Sequence, residues 1–130
     1  MANPERPPLD KTILVIDDQA MARNTMRRTL EYYGFTVLEG KNSKEGLQVF
    51  NEQRSKIDMV MLDLNLLGIP PEKMLAALRT LDPQVKVAVS TDQQPADLKY
   101  REEFQKVVDV LRKPVRTDRL LAVVRQALDL

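Results

Sequence analysis

Short apolar runs alternate along this chain with stretches in which apolar residues recur every three or four positions. The short runs predict strands, and the helical spacing predicts an amphipathic helix after each strand. Such alternation is typical of an α/β protein built on a parallel sheet. The predicted strands are the runs 12–16, 35–39, 59–62, 85–90 and 107–112.

The predicted helices differ in how clearly the sequence marks them. Asn42 with Glu45 three positions later is a capping-box pattern that opens the second helix, and Pro70-Pro71 suits the first turn of the third. The fourth helix, expected from about Pro95, has the sparsest apolar pattern. Its apolar residues are Leu98, Tyr100 and Phe104. Arg23, Arg27 and Arg28 are predicted to lie on the solvent side of the first helix.

The bulk composition excludes several classes of protein. At 130 residues the chain fits one domain, and 43% hydrophobic residues predict a folded globule rather than a disordered chain. The 20 Lys and Arg residues nearly balance the 19 Asp and Glu residues. The charge therefore gives no reason to expect nucleic acid or an anionic membrane as a partner.

Histidine and cysteine are both absent from the sequence. Without cysteine there are no disulfides and no thiolate metal sites, which fits a reducing compartment. Without histidine the chain has no imidazole base, no histidine metal ligand and no phosphohistidine of its own. Any such group has to come from a partner.

The first ten residues contain three prolines and no long apolar core. We therefore expect a flexible lead-in over residues 1–10, not a signal peptide, followed by one domain over residues 11–130. No apolar stretch approaches the roughly 20 residues that span a bilayer. A cytoplasmic protein is expected.

Polar side chains stand at the ends of four predicted strands. Asp17 and Asp18 follow the first strand, Asp63 the third, Thr91 the fourth and Lys113 the fifth. Because the carboxyl ends of parallel strands share one edge, we expect these residues to meet where open α/β sheets bind ligands. Taken singly, each has a plainer interpretation as a helix cap, a turn residue or a surface lysine. Together they suit a metal-assisted phosphoryl transfer onto a carboxylate.

Three carboxylates this close need a cation, because like charges raise each other's pKa. An all-oxygen set without His or Cys favours Mg²⁺, which accepts one or two carboxylates and keeps several waters. We expect Asp18 and Asp63 as direct ligands and Asp17 as a direct or water-mediated one. The backbone carbonyl of Asn65 completes the predicted metal site.

The remaining residues suit the transfer itself. Carboxylates form aspartyl phosphates when the oxygens of the attacked phosphoryl group are neutralised. Lys113 supplies a compact positive charge for this purpose. The hydroxyl of Thr91 is able to follow a phosphoryl oxygen inward, so it distinguishes the phosphorylated state and biases a loop equilibrium. This arrangement indicates a switch rather than a site of rapid turnover.

Four segments of the chain resemble receiver domains of two-component response regulators, the CheY-like family. They read ILVIDD at 13–18, VMLD at 60–63, VST at 89–91 and LRKP at 111–114. Their spacing is also similar to that of the family, with 45 residues from Asp18 to Asp63, 28 from Asp63 to Thr91 and 50 from Asp63 to Lys113. The resemblance extends from about residue 11 to residue 128.

The resemblance implies a flavodoxin-like α/β fold, a doubly wound parallel sheet of five strands in the order 2-1-3-4-5 with five helices on its two faces. It implies that Asp63 is the phosphoacceptor, Thr91 the switch hydroxyl and Lys113 the phosphate-contacting lysine, beside an acidic pocket of Asp17 and Asp18. The Lys113-Pro114 bond is usually cis in such domains. The implied partners are a sensor histidine kinase or histidine phosphotransfer protein and an output protein reached by protein contact.

Several positions depart from the family pattern. Leu67 and Pro70-Pro71 stand where the family usually has a proline and an Asp-Gly pair. Asp92 replaces a small residue next to the switch hydroxyl, and Val110 replaces an aromatic residue that moves with the switch. These departures predict intact acceptor chemistry and an altered readout.

Two alternatives follow from the same residues. One is a receiver-like interaction module that phosphorylation does not regulate, which the departures would favour. The other is a small phosphohydrolase with Asp63 as nucleophile, but such enzymes usually have a second acid where this chain has Asn65, and a cap for which the chain leaves no room. We therefore expect a self-phosphorylating switch with at most slow autodephosphorylation, and not an enzyme.

Overall fold

The computed structural model describes residues 9–99 and 101–130, without the side chain of Lys99. Most of the predicted lead-in and Tyr100 lie outside the described residues. At the described end of the lead-in, the backbone N–H of Leu9 donates to the carbonyl of Gly34 over 2.7 Å. The flexibility of residues 1–10 stays a prediction.

The described residues form one parallel sheet in which every strand matches a predicted run. The strands are β1 Thr12–Ile16, β2 Thr36–Gly40, β3 Met59–Asp63, β4 Val87–Thr91 and β5 Val110–Arg112. Their order is β2-β1-β3-β4-β5, with β3 at the centre between β1 and β4. The predicted order is therefore confirmed. The last two strands begin two and three residues later than the apolar runs, and strand ends are the least predictable part of such patterns.

Five helices cover the two faces of the sheet. They are α1 Ala20–Tyr32, α2 Ser43–Gln53, α3 Pro71–Leu81, α4 Ala96–Lys99 and α5 Thr117–Ala127, with a 3₁₀ turn at Glu102–Phe104. None of the helices in the described ranges combines the length and hydrophobicity that a bilayer crossing requires.

Alternation along β1 divides the core into two layers. Ile13 and Val15 point to one face, where they pack in a cluster with residues of α1 and α5. Leu14 and Ile16 point to the other face and join residues of α2, α3 and the fourth helix. Because helices cover both faces, the central strands are apolar at consecutive positions, which is typical of parallel sheets.

The start of α2 shows how local chemistry sets the helix positions. The Glu45 N–H donates to Asn42 Oδ1 over 2.7 Å, and Glu45 Oε1 accepts from the Lys41 N–H over 3.0 Å, so the predicted cap is present. A Cβ added to Gly40 would lie 2.6 Å from the Cα of Gly46. The missing side chain of Gly40 therefore allows α2 to approach the end of β2 closely.

The fourth helix is present but short, with four residues. The side chains of Leu98 and Phe104 are buried in the core, Phe104 from the 3₁₀ turn and not from a continuous helix. Sparse apolar positions give this segment too little buried area to stabilise a longer helix, since helices gain most of their stability from packing.

Candidate functional site

The sheet register brings the predicted site residues to one edge. Asp63 is the last residue of β3 and pairs with Ser90 in the register of β4, next to Thr91 at the end of β4. Asp17 follows β1 directly, and Lys113 follows β5 directly. The polar residues that follow or end these strands therefore lie together at the carboxyl edge of the sheet, as predicted.

Asp63 lies at the centre of this group with only 1% of its side chain exposed. Its Oδ1 atom accepts from the backbone N–H of Asn65 over 3.0 Å and lies 2.8 Å from Lys113 Nζ. Its Oδ2 atom is buried and has no hydrogen-bond partner among the described residues. A buried carboxylate oxygen without a donor is costly, so this atom is available to bind a cation or another ligand.

Asp17 and Asp18 face Asp63 across a short gap. One carboxylate oxygen from each of the three residues lies within 4.8 Å of the others. Burial of the Asp17 carboxyl raises its pKa to about 6; the Gln19 N–H opposes this shift, and the nearby charge of Asp63 adds to it. The group therefore resists full ionisation unless a cation joins it.

The residues present fit a magnesium ion. The donors are all carboxylate oxygens, which is the ligand type Mg²⁺ prefers, and Asp63 Oδ2 offers a lone pair that the described protein groups do not use. Asp17, Asp18 and Asp63 are the residues that would hold such an ion. The predicted role of the Asn65 carbonyl stays a prediction.

Thr91 lies at the end of β4 and is almost fully buried. Its Oγ1 accepts from the Gln93 N–H over 3.0 Å, and its carbonyl accepts from the Lys113 N–H over 2.8 Å. The hydroxyl thus stabilises a tight turn immediately after β4. The backbone bond ties that turn to the lysine of the site.

The Lys113-Pro114 peptide bond is cis, as the resemblance implied. It lies at the exit from β5, where the chain turns towards α5. The Lys113 side chain is only 16% exposed and reaches Asp63.

A tether between two loops was not foreseen from the sequence. Asn65 Oδ1 accepts the backbone N–H of Asp92 over 3.3 Å, so the segment after β3 is bonded to the segment after β4. Asn65 was predicted to contribute only its carbonyl. Its side chain gave no pattern in the sequence that would indicate this contact.

Arg23 was also misplaced by the sequence analysis. Its side chain is only 17% exposed, and its Nη1 atom donates to the backbone carbonyl of Asp17 over 2.8 Å. The prediction of a solvent-facing residue is therefore wrong for Arg23. Its place in the first turn of α1, beside the loop of Asp17 and Asp18, was the available signal.

The departures from the family pattern occupy different environments. Leu67 is 82% exposed and Val110 is 2% exposed. Asp92 is exposed and lines a cavity of about 420 Å³ together with Asp17 and Lys113. The altered positions thus include one core residue, one bare apolar side chain and one acid beside the site.

A parallel sheet in this order with an acidic pocket and a lysine at its carboxyl edge defines a receiver-type signalling domain. Residues 13–125 match the sequence family described as "Response regulator receiver domain". This match covers most of the chain, and the chain belongs to that family of two-component signalling proteins.

Individual relatives agree with this assignment. The chain is 30% identical over 116 residues to the uncharacterized transcriptional regulatory protein YkoG of Bacillus subtilis, covering 89% of this chain and 50% of that protein. It is 33% identical over 90 residues to a putative transcriptional regulator of Pseudomonas aeruginosa, covering 68% of this chain and 42% of the relative. The chain thus spans half or less of the length of these relatives.

Solved structures show the same fold. A response regulator receiver domain protein from Clostridium thermocellum superposes with a TM-score of 0.84 at 28% identity, covering 92% of this chain and 94% of the other. A response regulator from Burkholderia pseudomallei, solved with a phosphorylated aspartic acid, a calcium ion and citrate, gives a TM-score of 0.77 at 26% identity over 92% of this chain and 70% of the other.

Proposed function

We propose that this domain is a phosphoacceptor switch in which Asp63 receives a phosphoryl group with the help of Mg²⁺. The observation that carries the proposal is the environment of Asp63, a buried carboxylate with Lys113 at 2.8 Å, two further acids within reach and one oxygen left without a donor. The Burkholderia pseudomallei relative with a phosphorylated aspartic acid and a calcium ion supports the same chemistry.

The donor in this proposal is a phosphohistidine on a sensor histidine kinase or a histidine phosphotransfer protein, since the sequence has no histidine that could serve. A carboxylate oxygen of Asp63 attacks the phosphorus while the phosphorus–nitrogen bond breaks, and the released imidazole nitrogen takes up a proton. A bound magnesium ion supplies positive charge that neutralises phosphoryl oxygens. The product is an aspartyl phosphate on this chain and a neutral histidine on the partner.

Each side chain has a defined task in this step. Asp17, Asp18 and Asp63, with the Asn65 carbonyl, hold the ion, and Lys113 contacts a phosphoryl oxygen with its ammonium group. Burial of Asp63 excludes water from the reacting carboxylate.

Signalling follows from a hydrogen bond that the Thr91 hydroxyl makes only in the phosphorylated state. In the structure its oxygen accepts from the Gln93 N–H, and in the phosphorylated state the hydroxyl donates a hydrogen bond to a phosphoryl oxygen. That new contact exists in one state alone, so it shifts the equilibrium of the segment after β4. Output passes to a partner protein by contact, in the cytoplasm, where the lack of cysteine fits a reducing environment.

A loading experiment tests this function. Wild-type protein and Asp63→Asn are incubated with acetyl phosphate, with Mg²⁺ or with EDTA, and intact masses are measured. We expect a gain of one phosphoryl group only in wild type with Mg²⁺, and the site is then located by fragmentation. Wild type that gains no phosphoryl group from acetyl phosphate or from a phosphorylated histidine phosphotransfer protein would leave the phosphate-independent interaction module as the function.

A further inference from the structure

The loop that carries the acidic pocket is held from three directions at Asp17. The Asp17 N–H donates to the carbonyl of Gly40 over 3.1 Å, and its Oδ1 accepts from the Gln19 N–H over 2.9 Å. Its carbonyl accepts from Arg23 Nη1 over 2.8 Å. The third contact is the only one of these made by a long side chain, and a charged donor makes a stronger hydrogen bond than a neutral one.

Arg23 is itself fixed by an ion pair. Its Nε lies 3.4 Å from Glu39 Oε1, at the end of β2, so the guanidinium bridges β2 and the loop after β1. A planar guanidinium with several donors is suited to two acceptors at once. The side chain is largely buried, which reduces screening by salt.

Arg27 provides a natural comparison one turn further along α1. Its Nε lies 3.6 Å from the other oxygen of Glu39, and its Nη1 lies 2.8 Å from Glu31. The described contacts of Arg27 do not include the Asp17 loop. Arg23 and Arg27 thus share an acidic partner, but Arg23 also bonds the loop.

We propose that Arg23 is a positioning residue for the metal site, holding the backbone of Asp17 so that its carboxylate faces those of Asp18 and Asp63. The inference rests on the proposed function, which assigns Mg²⁺ to these three acids. Their mutual repulsion tends to spread the loop apart when no cation is bound. The bond from Arg23 to the Asp17 carbonyl opposes that movement.

The positioning role and a simple charge effect predict opposite results. Arg23 is a cation near a cation site, so loss of its charge alone would strengthen Mg²⁺ binding. Loss of a positioning contact would weaken the binding instead, because the ligands would no longer be preorganised. The sign of the change therefore decides between the two explanations.

The experiment is a Mg²⁺ titration of metal-free protein, followed by NMR chemical shifts, for wild type, Arg23→Ala and Arg27→Ala. We expect Arg23→Ala to bind Mg²⁺ about tenfold more weakly, the lower end of what residues behind metal ligands contribute. Arg27→Ala removes the same charge and should bind as tightly as wild type or slightly more tightly. Equal or tighter binding by Arg23→Ala, or equal weakening in both variants, would overturn the proposal.

Two further controls keep the result interpretable. If Arg23→Ala does not fold, Arg23→Lys replaces it; its single nitrogen cannot bridge Asp17 and Glu39 as the fork does, so weaker binding at unchanged charge is expected and unchanged binding overturns the proposal. A wild type that binds no Mg²⁺ would instead contradict the proposed function. That outcome is distinct from a wild type that binds the ion while the Arg23 variants bind it equally well.

Discussion

At the ends of β1 and β3 hydrogen bonds and an ion pair hold Asp17 and Asp63, whereas beyond β4 the chain passes through an exposed segment and a helix of four residues. We call residues 17–19 and 63–65 the acceptor side and residues 92–109 the readout side. On the acceptor side the backbone, a lysine and an arginine fix Asp17 and Asp63. Among the described residues of the readout side only Leu98 and Phe104 are buried, so a small share of that segment stabilises a single arrangement.

The difference fits what the proposed function requires of each side. Phosphoryl transfer needs charges that are already in place when the donor arrives, since preorganised groups cost no rearrangement during the reaction. A switch segment needs two arrangements of similar free energy, and such segments are drawn from the less stable parts of a fold. A short α4 and two connecting bonds, from Asn65 to Asp92 and from Thr91 to Gln93, suit that requirement.

Val110, which directly follows the readout side, departs from the usual family arrangement. It is buried at the start of β5 and packs in the cluster with Leu98 and Phe104. A buried valine cannot swing between a buried and an exposed position as an aromatic ring at a surface can. Under the proposed function, a change in the segment after β4 therefore has to use groups other than this side chain.

The largest effect is expected from removing the ammonium group of Lys113, which pairs with Asp63 on the acceptor side. Lys113→Ala leaves the buried Asp63 carboxylate without its charged partner, and breaking a buried pair typically costs about 3 kcal/mol or more of the free energy of unfolding. We expect Mg²⁺ to restore part of the loss, because the ion takes over the neutralisation. Urea unfolding with Mg²⁺ or EDTA measures this.

Lys106→Ala is a suitable control for that experiment, since Lys106 is an exposed lysine of the readout side. It should change the free energy of unfolding by less than about 0.5 kcal/mol. If Lys113→Ala were as stable as Lys106→Ala in EDTA, the acceptor side would not depend on the pairing of its buried charges.

The fold could be predicted from the sequence because the apolar runs that mark strands and the residues that mark helix starts indicate the same order of elements. The apolar runs 12–16 and 59–62 have the length of strands and are followed by polar residues, which marks them as buried strands. Asn42 with Glu45 marks a helix start. Once the strands are parallel, the carboxyl edge follows, and with it the meeting of Asp17, Asp63 and Lys113. Local pattern and global topology point the same way, which is typical of natural sequences.

Contacts between side chains and distant backbone could not be predicted in this way. Arg23 shows no apolar or polar periodicity that separates it from Arg27 and Arg28, yet it alone of the three bonds the Asp17 carbonyl in the structure. The hydrogen bond between the Asp92 N–H and Asn65 Oδ1 depends on how the loops after β3 and β4 are positioned relative to each other. The length of α4 depends on tertiary burial, which overrides a weak periodic pattern.

The next effect is a dependence of stability on pH and metal. Burial raises the pKa of Asp17 from 3.8 to about 6 in the folded state, so the folded protein binds this proton more tightly than the unfolded chain. The resulting stability is complete below pH 3.8 and is lost as the pH rises to about 6. Mg²⁺ binds the ionised carboxylate, so it should raise the melting temperature more at about pH 8 than at about pH 5.

Thermal unfolding at the two pH values, with Mg²⁺ and with EDTA, checks this expectation. Asp17→Asn cannot ionise at this position, so its melting temperature in EDTA should vary less with pH than that of wild type. An increment from Mg²⁺ that is the same at both pH values would show that protons and the metal do not compete at Asp17.

The smallest expected effect concerns the first residue of the readout side. Asp92 is exposed and lines the same cavity as Asp17 and Lys113, so its charge should repel an anionic phosphodonor. Exposed charges contribute about 0.2–1 kcal/mol, so Asp92→Ala and Asp92→Asn should both load from acetyl phosphate about 1.4- to fivefold faster at low salt. The gain should shrink at high salt, where charges are screened.

Asp97→Ala, which removes an exposed acid from the short α4, should load at the wild-type rate. Faster loading by Asp92→Ala alone would indicate that the side chain obstructs the donor by its size. Unchanged rates in both Asp92 variants would show that this residue does not influence the acceptor chemistry and that the acceptor side and the readout side are independent.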